Sequence, residues 1–207
     1  MKTALGIIGV LAGIVLVVGG IIGLTLIGTY NGMVGGEQAV NQSWSQVQNV
    51  YQRRADLVPN LVATVKGAAQ FEQSTLTAIT EARASVGKLN ISSSQAPTTA
   101  EELQKFQQAQ GQLGSALSRL LVVSENYPQL RATSNFATLQ AQLEGTENRI
   151  SVERRNFTEA VQSYNNKVKG FPGVLLAGVY GFSPKPYFEA DQGADKAPKV
   201  DFTVSKN

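Results

Sequence analysis

The chain has 207 residues, with 18 lysines and arginines against 15 acidic residues and a net charge of +3. Such a mild charge, spread without a basic patch, argues against nucleic acid as a partner. Cysteine and histidine are both absent. Their absence excludes thiol chemistry and removes the commonest general base and metal ligand.

The first element is an apolar run from Ala4 to Gly28, in which Thr25 is the only polar side chain. As a helix it would span roughly 37 Å, whereas the hydrocarbon core of a bilayer is about 30 Å thick. The run is longer than the apolar region of a cleaved signal peptide, and no small-residue cleavage box follows it. We therefore predict an uncleaved signal-anchor, with residues 1–29 forming a single transmembrane helix in a lipid bilayer.

Five glycines of this helix share one face. They are Gly6, Gly9, Gly13, Gly20 and Gly23. Small residues let transmembrane helices pack closely, which favours self-association as a homo-oligomer. Glycine is also common in membrane helices generally, so the frequency of glycine alone is the alternative explanation. Lys2 is the only charged residue before the run, and it favours an amino terminus inside the cytoplasm with the remaining chain on the non-cytoplasmic side.

Residues 30–170 show helical periodicity, and no sustained alternation predicts a strand. The first apolar stripe has the three-and-four spacing of a coiled coil and runs through Met33, Val40, Trp44, Val47, Tyr51, Val58, Leu61, Val65, Ala68, Ile79 and Val86. Pro59 interrupts this stripe and predicts either a kink or a reversal of the chain. The continuous stripe favours the kink, whereas segments of 33–56 and 59–86 would match the later helices in length.

Two further helices follow a Gly-, Pro- and Ser-containing loop over residues 87–100. The spacings Thr98–Glu101 and Thr99–Glu102 both predict a capping box, and Tyr127-Pro128 predicts the end of that helix. The last long helix is predicted from Ser134 to Lys169. The predicted core face of the first of these two helices comprises Leu103, Phe106, Leu113, Leu117 and Leu120. The predicted core face of the second comprises Phe136, Leu139, Leu143, Ile150, Phe157, Val161, Tyr164 and Val168.

Two shorter segments complete the chain. Residues 171–182 are apolar but too few to span a bilayer, so we expect them to cap the bundle or to lie at the membrane surface. Residues 183–207 contain three prolines and mixed charges, which indicates an extended or partly disordered tail.

Four charged residues lie on the predicted apolar stripes: Arg54, Glu72, Glu147 and Arg154. Because burial of an unpaired charge costs several kcal/mol, we expect a structural layer of ion pairs between helices. A catalytic or metal-binding carboxylate site is the alternative, although di-metal bundles use Glu-x-x-His motifs that this chain cannot supply. Nucleophile-elbow and phosphate-loop motifs are also absent. We therefore predict no catalytic residue, cofactor or metal, and no enzymatic activity.

The sequence also resembles the bacterial LemA family over nearly its whole length. The resemblance is carried by residues 52–62 (QRRADLVPNLV), 65–67, Glu72, 81–83 (EAR), 125–128 (ENYP), 139–150 (LQAQLEGTENRI), 164–165, 171–172, 187–189 (YFE) and 198–202 (PKVDF). Phe157-Thr158 departs from it, since the family often has Tyr-Asn there. The resemblance implies an inner- or plasma-membrane protein with one amino-terminal anchor and an antiparallel, up-and-down, all-α bundle. It implies four helical segments, which favours a reversal near Pro59, and it supplies no reaction.

Two classes of function remain. The first is a non-enzymatic membrane-anchored scaffold or adaptor that assembles with itself or with other envelope proteins. The second is a metal-dependent or hydrolytic enzyme that uses the Arg/Glu layer. A membrane sensor is a further possibility that the sequence does not separate from the scaffold.

Overall fold

A computed structural model describes residues 2–67, 72–88 and 95–189, with side-chain surroundings given for Gly9 and from Leu11 onward. The elements are α1 (Lys2–Lys66), α2 (Gln73–Gly87), α3 (Ala100–Ser124), α4 (Pro128–Arg131), α5 (Ser134–Lys169) and α6 (Gly173–Tyr180). These ranges contain helices and no strand, so the predicted all-α bundle is confirmed. The predictions for Ala68 and for residues 190–207 concern positions outside the described residues.

Four helices run alternately up and down. The long helix α1 packs most extensively against α5, and α2 packs against α3. Their buried faces form two clusters. We call the end of the bundle that continues into residues 4–28 the apolar end, and the opposite end the far end. Of the apolar residues on the predicted stripes that the structure describes, all are buried except the partly buried Val86. Helical periodicity therefore identified the core correctly.

Aromatic side chains fill the core near the apolar end. The Trp44 ring meets the ring of Phe106 with centroids 5.0 Å apart and that of Phe157 with centroids 5.4 Å apart. Tyr51 also meets Phe106 edge to face at 5.0 Å. Such tilted and edge-on pairs match the preferred geometry of aromatic contacts, so they tie α1, α3 and α5 together in a defined register.

Pro59 does not mark the reversal that the family resemblance favoured. Helix α1 continues through Pro59 to Lys66, and the chain reverses between Lys66 and Gln73. Proline has no N–H, so the carbonyl of Ala55, four residues earlier, loses its partner within the helix. The Nε–H of Arg83 on α2 donates a hydrogen bond to that carbonyl at 3.1 Å. The neighbouring helix thus supplies the donor that proline removes, and α1 passes through Pro59 with its stripe intact.

The amino terminus of α3 is capped as predicted, at Thr99 rather than Thr98. The Thr99 hydroxyl accepts a bond from the Glu102 amide at 3.2 Å, and the Glu102 carboxylate accepts from the amides of Thr98 at 2.9 Å and Thr99 at 3.4 Å. These backbone donors hold the pKa of Glu102 below its usual value. Helix α5 has the predicted bounds, Ser134–Lys169.

After α5 the chain turns at the apolar end into the short helix α6. A side chain at Gly173 would overlap the carbonyl of Lys167, so only glycine permits this close turn. Gly181 ends α6 in the left-handed conformation with φ of 78°. The Tyr30 ring of α1 lies edge-on to Tyr180 at 5.0 Å and to Phe182 at 5.8 Å. Helix α6 is therefore fixed beside the last turns of the apolar part of α1.

Residues 182–189 form a strap without regular secondary structure along the side of the bundle. The side chain of Asn165 binds the backbone of Lys185 twice, accepting from its N–H at 2.8 Å and donating to its carbonyl at 2.9 Å. The Lys185 ammonium reaches Glu37 of α1 at 2.9 Å. Phe188 inserts beside Phe157 with ring centroids 5.4 Å apart. The start of the predicted tail is thus held on the bundle surface.

Candidate functional site

One helix of the described chain is long and apolar enough to cross a membrane, and it is the amino-terminal part of α1. From Leu11 to Leu24 its large apolar side chains are exposed, and Leu16 is 76% exposed. No other part of the described chain covers this stretch. Uncovered apolar surface of this extent requires either lipid or other protein around it.

The glycine face is open along the described part of this helix. A Cβ atom built at Gly9, Gly13, Gly20 or Gly23 would meet no atom within 4 Å. Gly6 lies in the same helix, outside the residues whose surroundings are described. The prediction of self-association through these glycines therefore stays a prediction, and the four described positions make no contact with the rest of the described chain.

Among the charged residues that the structure describes, Arg54 is the most deeply buried, with 4% of its surface exposed. Its guanidinium donates to the carboxylate of Glu147 on α5 at 3.1 and 3.4 Å. It also donates to the backbone carbonyl of Gln110 on α3 at 2.8 Å and to the Oε1 atom of the same residue at 2.6 Å. The guanidinium carbon lies 4.9 Å from the ring centre of Tyr51. Arg54 therefore joins three helices of the bundle at once.

The two partners of Arg54 differ in exposure, which decides their energetic weight. The Glu147 side chain is 49% exposed, so water screens its charge and the ion pair contributes little. Gln110 is only 4% exposed, so its Oε1 atom depends on Arg54 for a donor. Sequence reasoning missed Gln110, although it lies on the apolar stripe of α3 between Phe106 and Leu113. A polar residue at such a position is the signal that would have identified it.

The other two members of the predicted ion-pair layer lie elsewhere. Glu72 is exposed at the amino terminus of α2, where hydrogen bonds from the hydroxyls of Ser74 and Thr75 lower its pKa. Arg154 lies over the ring of Phe188 at 4.8 Å and donates to the carbonyl of Glu189 at 3.3 Å. The structure therefore brings Arg54 and Glu147 of the predicted layer together, and it places Glu72 and Arg154 at two other sites. Glu72 precedes α2 rather than lying on a buried face, and Arg154 holds the strap.

A second polar cluster connects the strap to α1. Burial raises the pKa of the Tyr164 hydroxyl to about 12, with the nearby Glu37 carboxylate acting in the same direction and the backbone of Ser183 in the opposite one. Glu37 in turn binds Lys185. These residues hold the strap against the apolar end, and in the described ranges no three potential metal ligands of the His, Cys, Asp and Glu types lie together.

Comparison with known proteins gives matches of unequal extent. The family model described as LemA family matches residues 43–202. The Protein LemA of Metamycoplasma hominis is 23% identical over 152 residues, which cover 73% of this chain and 65% of that protein. The Magnetosome proteins MamQ 1 and MamQ 2 of Paramagnetospirillum magneticum are each 31% identical over 87 residues, 42% of this chain. The aligned stretch spans about a third (32%) of the length of those MamQ proteins.

Proposed function

Because the chain belongs to the LemA family, we propose that it is a non-enzymatic, membrane-anchored scaffold or adaptor that assembles with itself or with other envelope proteins. The observation that carries this proposal is the continuity of α1. One helix of 65 residues contains both the apolar segment and the first helix of the bundle. At about 1.5 Å per residue its last 34 residues, 33–66, project roughly 50 Å beyond the apolar end.

This continuity suits an assembly role because the anchor and the bundle cannot rotate independently. A rotation of the apolar segment about its axis turns the whole first helix, and α5 and α6 pack on that same helix. The open glycine face therefore has a set orientation relative to every face of the bundle. Chains that associate through the anchor would present their bundles in a defined arrangement to further partners.

The Arg54 cluster supports a structural role over a catalytic one. The guanidinium is buried and makes hydrogen bonds to Glu147 and Gln110, which hold it in place. Such a network specifies how three helices pack, as buried polar groups do in other bundles.

Self-association is tested by crosslinking in native membranes and by the mass of the protein in mild detergent. We expect a multimer for the natural sequence. Gly13→Leu and Gly20→Leu should shift it towards the monomer while leaving insertion intact, because a leucine keeps the helix backbones apart. Val18→Leu is the control, since Val18 lies on the opposite face of the helix and is already apolar. A natural protein that stays monomeric under every crosslinker would contradict self-association.

The placement and the lack of an enzymatic role have their own tests. We propose a single-pass protein of the inner or plasma membrane with the bundle on the non-cytoplasmic side. Since the chain has no cysteine, Val122→Cys on the bundle should react with a membrane-impermeant maleimide in cells whose inner membrane is intact. If the cysteine reacts only after that membrane is opened, the bundle lies on the cytoplasmic side instead.

The lack of an enzymatic role is tested with Glu147→Gln in cells that show a phenotype when this protein is deleted. The variant should restore the normal phenotype; failure to restore it with unchanged stability would favour an enzyme.

A further inference from the structure

The segment around α6 exposes an apolar surface at the end of the bundle next to the anchor. No charged residue occurs between Gly170 and Phe182. Phe171 is 85% exposed, Val179 is 77% exposed and Leu175 is 63% exposed, and Val174 and Tyr180 are more than half exposed. Only Gly173 and Ala177 of α6 are buried against the bundle. The greater part of this helix therefore presents apolar side chains outward.

This surface is continuous with the exposed face of the apolar helix. A shallow groove between the two helices is lined by Leu26, Ile27 and Tyr30 of α1 and by Leu176 and Tyr180 of α6. On the other side, Phe171 and Gly173 line a second groove with Thr25 and Thr29. The level of α6 therefore corresponds to residues 25–32 of α1, where the apolar run ends.

The residues around α6 have the distribution expected at a membrane boundary. Tyr30 and Tyr180 lie in edge-on contact at this level, and tyrosine is enriched where the acyl chains meet the headgroups. Lys169 ends α5 immediately before the apolar segment, where its ammonium group can reach anionic headgroups. The run from Ala4 to Gly28 exceeds the hydrocarbon thickness by roughly 7 Å, so its last turns lie near the boundary.

We propose that α6 inserts into the bilayer interface beside α1, with Phe171, Leu175 and Val179 among the acyl chains, as a second membrane contact of the same chain. This inference rests on the proposed transmembrane anchor. A lipid surface fits better than a second protein copy. An eight-residue helix is only about 12 Å long, which is too short to bury the roughly 800 Å² per partner of a stable protein interface. Two contacts, one spanning and one interfacial, hold the bundle at a set tilt to the membrane.

Site-directed spin labelling tests this directly, because the natural chain has no cysteine to remove. Leu175→Cys and Val179→Cys are introduced one at a time in the full-length protein and reconstituted into vesicles of phosphatidylethanolamine and phosphatidylglycerol. Collision with apolar oxygen and with a water-soluble nickel chelate then reports the depth of each label. Val18→Cys in α1 is the reference for the membrane interior. Val122→Cys on α3, which is 64% exposed in the far half of the bundle, is the reference for water.

We expect the ratio of oxygen to nickel collisions at residues 175 and 179 to exceed that at residue 122 by several-fold, and to be smaller than that at residue 18. Nickel accessibility at 175 and 179 equal to that at 122, with residue 18 deep, would overturn the interfacial contact and leave the anchor intact. Nickel accessibility at residue 18 itself would overturn the anchor and this inference together. Low collision rates with both reagents, together with dipolar broadening between labels, would assign the surface to a second copy and overturn the inference.

Discussion

The bond between Arg83 and the carbonyl of Ala55 predicts a coupling between two distant sequence positions. Ala55 is 6% exposed, so without Arg83 its carbonyl would lack both water and a helical partner. An unsatisfied buried acceptor costs about 1–3 kcal/mol. Arg83→Met, which keeps the apolar stem of the side chain, should therefore lower the free energy of unfolding by about 1–2 kcal/mol. Arg53→Met replaces an exposed arginine of α1 and should change it by less than about 0.5 kcal/mol.

The same substitution should cost almost nothing once Pro59 is replaced. Pro59→Ala restores an N–H four residues after Ala55, and this amide satisfies the carbonyl within α1. Since proline costs about 3 kcal/mol relative to alanine inside a helix, we expect Pro59→Ala to stabilise the protein by about 1–2 kcal/mol after loss of the Arg83 bond. In that background Arg83→Met should cost less than about 0.5 kcal/mol.

The natural protein, Arg83→Met, Pro59→Ala and the double variant form a double-mutant cycle. Equilibrium unfolding in urea and a mild detergent measures the free energy of unfolding of all four proteins. Trp44 is the only tryptophan and is fully buried, so its fluorescence reports loss of the bundle core, and far-UV circular dichroism reports the helices. The reasoning requires a coupling free energy of about 1 kcal/mol or more. Strictly additive effects of the two substitutions would refute it, as would a destabilising effect of Pro59→Ala.

Three further predictions use the same unfolding assay. Arg54→Met should lower the free energy of unfolding by about 2–3 kcal/mol, because it leaves the buried Oε1 atom of Gln110 on α3 without a donor. Glu147→Gln should lower it by less than about 1 kcal/mol, because that carboxylate is half exposed. Equal costs of the two substitutions would contradict this account. Thr99→Ala should cost about 1 kcal/mol through loss of the cap, and Thr77→Ala, on the exposed face of α2, should cost less than about 0.5 kcal/mol. Tyr164 has a pKa of about 12 in the folded protein against about 10 when unfolded, so the unfolded state releases this proton first. Stability should therefore fall by about 1.4 kcal/mol per pH unit between about pH 10 and about pH 12. Tyr164→Phe should remove this part of the slope, and an identical slope in the variant would show that Tyr164 does not cause it.

Local sequence signals identified most of the bundle. The bounds of α5, the capping box at Thr99 and Glu102 and the buried stripes all follow from contacts between residues three or four apart. The same holds for the apolar character of residues 4–28, because charge and hydropathy along a single helix can be read without knowledge of its neighbours. Arg54 was also recognised as a buried charge that needs partners, since it interrupts an apolar stripe.

Tertiary structure alone decided which distant residues meet. Pro59 permits either a kink or a reversal by its local chemistry, and the helix continues because Arg83 of another helix supplies the missing donor. Gln110 is a partner of Arg54. Glu72 lies at the amino terminus of α2, and Arg154 contacts the strap. Periodicity gives the face of a helix on which a residue lies, but not its height against a neighbouring helix. That height depends on loop lengths and on how the two core clusters pack, and here it also placed α6 beside the end of the apolar run.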